Sequence, residues 1–146
     1  MSSKQLDILY RFEKEKETKA AQQLQAAELD YQQNLQRMQG VSDYRLEYMR
    51  RLSERSRAGI DSATFNHFHA FVKKLDQAAE QVSIAINQAK ALMEQRKRQW
   101  LAQRQKVQAV EHLRELKLKE LAKQEARKEQ KMFDEIATQQ FVRRAR

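Results

Sequence analysis

The sequence predicts an all-α protein built from two long helices folded back on each other as an antiparallel coiled-coil hairpin. Three observations carry this. The chain of 146 residues contains no proline and only two glycines. Charged residues make up 34% of it, and Gln, Ala, Leu, Lys, Arg and Glu dominate, a composition typical of long helices. Its apolar residues recur at spacings of three and four, which separates it from a merely polar, disordered chain.

The first helix is predicted over about residues 4–53, with Ser3 as its N-cap. Its apolar stripe reads Leu6, Leu9, Phe12, Ala20, Leu24, Ala27, Tyr31, Leu35, Met38, Tyr48 and Leu52. Gly40 interrupts this stripe at a cost of ~1 kcal/mol relative to alanine. Good helix formers on both sides make it a weak point or a close contact, not a turn.

The turn is placed over about residues 54–61, "ERSRAGID". Gly59 suits the positive φ that follows a helix, and Arg55 and Arg57 suit a helix C-terminus. Asp61, Ser62 and Thr64 are N-cap candidates for the next helix.

The second helix is predicted over about residues 62–141. Its seam reads Phe68, Val72, Leu75, Ala79, Val82, Ile86, Ala89, Met93, Arg96, Trp100, Gln103, Val107 and Val110, a sustained heptad pattern. Glu15 with Lys19, Glu47 with Arg51, Glu94 with Arg98 and Glu115 with Lys119 can pair on the outer faces. A turn near residue 58 makes residue i face roughly 115 − i. Leu24 is then expected near Ala91, Tyr31 near Ile84 and Tyr48 near Phe68. The arms would be roughly 75 and 120 Å long, leaving the chain after about residue 112 without a partner.

Net charge is +9, which favours acidic partners. Residues 104–146 hold 12 Lys+Arg and 7 Asp+Glu, so this end carries +5. The acids interleaved with these bases, and the short length of "RKRQW" and "FVRRAR", weigh against a nucleic-acid reader but leave it as an alternative. Mean hydropathy is −0.94, and no apolar run reaches the ~18–20 residues needed to span a bilayer. The N-terminus becomes charged too soon for a secretory signal. The expectation is a soluble, cytoplasmic chain.

Catalysis finds little support. The two glycines stand alone, so there is no phosphate loop. The chain has no cysteine. His67 and His69 are two apart, which puts them on different helical faces, and His112 is remote. Neither a catalytic residue, a metal site nor a cofactor is expected.

The aromatics are more informative. Five of eleven, Tyr44, Tyr48, Phe65, Phe68 and Phe71, flank the turn. Rings that fill the end of a hairpin account for some of them. However, Phe71, Ala78, Ala85 and Leu92 form a second row beside Leu75, Val82 and Ala89. One partner helix is too narrow to cover both rows, so Phe71, Leu75, Ala78 and Val82 are a candidate interface as well as candidate core.

In order along the chain, "YQQNLQRMQGVSDYRLEY", the glycine-containing turn, "FNHFHAFVKKLDQAAEQ" and "QKMFDEIATQQFVRR" resemble the FliJ family of flagellar export proteins. The resemblance covers nearly the whole chain. It implies a non-enzymatic component of the flagellar type III protein export apparatus, acting in flagellum biogenesis and hence motility and chemotaxis. Family members are antiparallel coiled coils similar to the central stalk of rotary ATPases. The implied partners are the hexameric export ATPase, the cytoplasmic domain of the export-gate membrane protein, and export chaperones. The implied location is the cytoplasmic side of the inner membrane at the flagellar base, reached through those proteins without membrane insertion. The family's gate-binding row maps onto Phe71, Leu75, Ala78 and Val82, with valine where the family has a polar or histidine residue. An injectisome stalk protein, or a coiled coil that serves only as a tether, would look physically similar.

Overall fold

The structure, a computed structural model, describes residues 1–145. It consists of two helices, α1 (Ser3–Ala58, 56 residues) and α2 (Ser62–Ala145, 84 residues), which pack against each other as an all-α helical hairpin.

Each helix start is defined by a side chain. The backbone N–H of Gln5 donates to Ser2 Oγ at 3.1 Å, and the backbone N–H of Ser2 donates to Gln5 Oε1 at 2.9 Å. This is a capping box, so the N-cap is Ser2 and not Ser3. For α2 the cap is Asp61, whose Oδ1 accepts from the backbone N–H of Thr64 at 3.3 Å. The hydrogen bonds from Thr64 hold the Asp61 carboxyl below the usual aspartate range.

Between the helices lie only Gly59, Ile60 and Asp61. Gly59 has a φ of +88°, and its N–H donates to the carbonyl of Ser56 at 3.3 Å. The first helix therefore runs five residues further than its apolar pattern suggests, because Glu54–Ala58 are helix-compatible and nothing stops them before the glycine. The second likewise continues past Phe141 to Ala145.

This short turn also moves the register. Arg45 meets Asp76 at 2.6 Å and Asp7 meets Arg114 at 3.1 Å, each pair of numbers adding to 121. Pairing thus follows about 120 − i, the value set by a turn centred at residue 60 instead of 58. Tyr48 does meet Phe68, with ring centroids 4.9 Å apart. Ile84, expected beside Tyr31, is exposed, and so is Ala91. Near Leu24 it is Gln23 that reaches across, accepting from Arg96 at 3.2 Å.

The chain divides into two compact units, Lys19–Leu101 and Met1–Thr18 with the chain from Ala102 on. In the first, Ala27 and Leu52 of α1 pack with Phe68, Val72, Val82 and Ala89 of α2 as the buried apolar core. In the second, the core is Leu6, Val107 and Val110. Every seam position expected in α2 from Phe68 to Val110 is buried or half-buried.

On α1 the seam departs from expectation. The covered positions step by four and three through Leu6, Tyr10, Glu13, Glu17, Ala20, Leu24, Ala27, Tyr31, Asn34, Met38, Val41, Arg45, Tyr48 and Leu52. Phe12, 53% exposed, and Leu35 lie off it. Polar residues occupy four of its places, so an apolar-only reading slid onto neighbours that fall outside the heptad. The Lys16 ammonium lies over the exposed Phe12 ring, 4.3 Å from its centroid.

Asn34, 7% exposed, is a polar residue in this buried seam. Its Nδ2 donates to the Asp30 carbonyl at 2.9 Å, and its Oδ1 accepts from Arg37 at 3.2 Å. All of these bonds stay within α1, so burial of the amide is compensated without help from α2.

Candidate functional site

The turn-proximal part of Lys19–Leu101 holds the aromatic cluster. Phe71 lies 4.5 Å from Tyr48 and 5.9 Å, edge-on, from Tyr44 (centroid distances). Phe68 is buried under Tyr48 and has the Arg55 guanidinium 5.4 Å from its ring centroid. Outside this group, Phe65 and His69 pack on each other one helical turn apart, at 4.4 Å. Among the described residues no cluster of three or more His, Asp or Glu side chains is arranged to hold a metal.

The four expected site residues fall into two groups. Phe71, Leu75 and Ala78 are half-buried, with one side toward α1 and the other open. Val82 is 5% exposed. Of the two readings the sequence allows for it, core and interface, its burial agrees with core. The reason is the heptad: Val82 follows Leu75 by seven and sits fully in the seam, whereas Phe71, Ala78 and Ala85 form the flanking row. Of that flanking row Leu92 is the first to be exposed, so the half-covered row runs from Phe71 to Ala85.

A feature absent from the sequence reading adjoins this row. An open groove of about 400 Å³ lies between Gly40 and Tyr44 on α1 and Leu75 and Ala78 on α2, with Val82 at its floor. A β-carbon added at Gly40 would meet nothing within 4 Å. Gly40 is therefore not a close-contact residue, and the space above it is open. The lone glycine was the visible signal, but only the register shows that Ala78 stands near it.

In the other unit, charge dominates the seam. The Gln103 amide donates to the Glu13 carbonyl at 2.9 Å and to the Glu13 carboxylate. Arg114 pairs with Asp7, and its guanidinium stacks 4.5 Å from the Tyr10 ring centroid. Tyr10 in turn donates to Glu111 at 3.5 Å. Covered positions continue through Arg114 to Lys117, so the unpaired helix starts at about 118, not 112; the shifted register accounts for the difference.

From Leu118 to Ala145 every residue is exposed. Among them are Leu118, Leu121, Met132, Phe133, Ile136 and Phe141, with Phe133 at 68%. At about 100° per residue, Leu118, Leu121, Met132 and Ile136 lie within about 60° of one another on one face, with Ala122 and Phe133 at its edge. Met132, Phe133 and Ile136 fall off the places to which the heptad seam would continue.

A family model described as "Flagellar FliJ protein" matches residues 2–146. The chain belongs to the flagellar FliJ protein family. Comparison with curated proteins and with solved structures gives no significant match. Membership makes this a flagellar-export-related FliJ-type chain, and the helical hairpin agrees with that assignment. Among the described residues, no helix is long and apolar enough to cross a membrane.

Proposed function

We propose that this FliJ-family chain is a non-enzymatic, stalk-like component of the flagellar type III export apparatus that joins the hexameric export ATPase to the cytoplasmic domain of the export gate and to export chaperones. The family match over residues 2–146 carries this reading. Its flagellar description favours the flagellum over an injectisome. The chain works on the cytoplasmic face of the inner membrane, held there by its protein partners.

The two partner roles have separate surfaces. Phe71, Leu75 and Ala78 meet the gate, while Val82 supports them from the seam. Half-covered apolar side chains in a row can dock a partner without the hairpin opening. The exposed stripe of residues 118–145 meets the ATPase ring; an unpaired helix gains most from a partner that buries its apolar face. The basic balance of this end suits acidic ring loops. Energy for export comes from ATP hydrolysis by the ATPase.

A pull-down of the full chain against the export ATPase and the gate's cytoplasmic domain tests this. Binding of both at micromolar concentration in modest salt is expected. If neither is retained, the reading fails. A salt titration with duplex DNA is expected to show only weak binding that is lost at physiological salt; tight binding there would favour the nucleic-acid alternative.

A further inference from the structure

We infer that the overhanging end of α2 pairs with the same segment of a second copy of this chain, as an antiparallel two-helix coiled coil centred on residue 134.

Glu125, Glu129, Met132, Ile136, Gln139 and Arg143 are spaced by four, three, four, three and four. That is a heptad stripe of its own, and all six side chains are exposed. The stripe lies one residue on from places 124, 128, 131, 135, 138 and 142, to which the hairpin seam would continue. One residue is about 100° of helix, so the stripe is turned away from the line along which α1 packs.

Run backwards, the stripe is complementary to itself. Glu125 falls opposite the second copy's Arg143, Glu129 opposite its Gln139 and Met132 opposite its Ile136, each pair of numbers adding to 268. A contact in which residue i meets j while j meets i defines a two-fold interface. Acid meets base at both ends, carboxylate meets amide next, and apolar meets apolar in the two central layers. In-register parallel pairing would instead set Glu125 on Glu125, Glu129 on Glu129 and Arg143 on Arg143, so charge selects the antiparallel order.

Met132 is 59% exposed and Ile136 45%, which leaves both side chains open to a partner. Two apolar residues per chain make a weak dimer, with a Kd on the order of 100 µM. The chain is then a monomer at low micromolar concentration. The pairing covers the face assigned above to the ATPase ring, so paired and ring-bound chains exclude each other. That consequence rests on the ATPase reading, whereas the pairing does not.

Sedimentation equilibrium of the full chain, from about 5 to about 500 µM, tests the pairing. Wild type is expected to pass from monomer to dimer across this range. Ile136→Glu puts a carboxylate into both central layers and is expected to raise the Kd at least tenfold. Glu125→Arg and Arg143→Glu each set like charges against each other at both ends, and each is expected to raise it several-fold. An equimolar mixture of these two variants regains an ion pair at both ends and is expected to dimerise at least as well as wild type. The positions are exposed, so helicity by circular dichroism should stay unchanged. If wild type stays monomeric throughout, or if the mixture dimerises no better than either variant alone, the inference is overturned. If the export ATPase binds the dimer without dissociating it, the ATPase reading of this face is overturned and the pairing stands.

Discussion

The seam of Lys19–Leu101 and the seam of the other unit share one heptad geometry but differ in content. In the first, Ala27, Leu52, Phe68, Val72, Val82 and Ala89 are buried together, and the one buried amide, Asn34, is satisfied within its own helix. In the second, Leu6, Val107 and Val110 share the seam with Glu13, Gln103 and Arg114, and Asp7 pairs with Arg114 beside it. Apolar burial contributes stability in proportion to area, whereas partly exposed ion pairs contribute little and chiefly select a register. The difference assigns two tasks to one coiled coil. The turn-proximal seam holds the hairpin closed beneath the Phe71 row. The polar seam aligns the ends and is the cheaper of the two to open.

The largest effect is expected from the apolar seam. Phe68→Ala removes a buried ring that contacts Tyr48 and Arg55 and should cost about 3 kcal/mol, read as a shift of the urea midpoint. A loss near zero would mean that the closing energy lies elsewhere. In the polar seam the opposite sign is expected: Glu13→Leu combined with Gln103→Leu should stabilise by about 1–2 kcal/mol, because a half-buried polar pair is replaced by packing. Destabilisation by this double variant would show that the polar pair contributes net stability and would erase the contrast.

At the turn, Asp61→Ala should lower the urea midpoint, by a smaller step than Phe68→Ala, through the loss of one N-cap. Because the Asp61 carboxyl is held below its ordinary value, the wild-type contribution is present above the unfolded aspartate pKa. It is lost as pH falls through the lowered folded value, and the variant should lack this acid-side decline. Smallest of all, Phe133→Ala should change thermal stability by less than about 0.5 kcal/mol while weakening ATPase binding, because its side chain is exposed. A clear drop in melting temperature would place Phe133 in a packed core.

The all-α hairpin and the whole seam of α2 were legible because α2 places apolar or long side chains at every heptad position from Phe68 to Val110. The α1 seam was not, because Glu13, Glu17, Asn34 and Arg45 hold places that apolar counting skips. A buried Asn or Glu in a seam is invisible until its partners are known. The register error had a single cause, the length of the turn: Gly59 stops α1 and Asp61 restarts the chain two residues later. The Phe71 row could be read from spacing alone. Val82 was already a heptad seam position in the sequence, but Gly40 could not be assigned to a groove without the register, because that depends on which residue of α2 stands opposite. The apolar face of residues 118–145 was not legible because Met132, Phe133 and Ile136 fall off the places to which the heptad of Phe68 to Val110 would continue.

Hydrogen exchange of the full chain, alone and then with each partner, tests the central claim that two separate surfaces serve two partners. Alone, the chain should protect the helical amides around Phe68–Ala89 most and those after Leu118 least. Adding the export ATPase should protect residues 118–145 and leave Phe71–Ala78 unchanged. Adding the gate's cytoplasmic domain should do the reverse. Protection of the same segment by both partners, or of neither segment by either, would contradict the account.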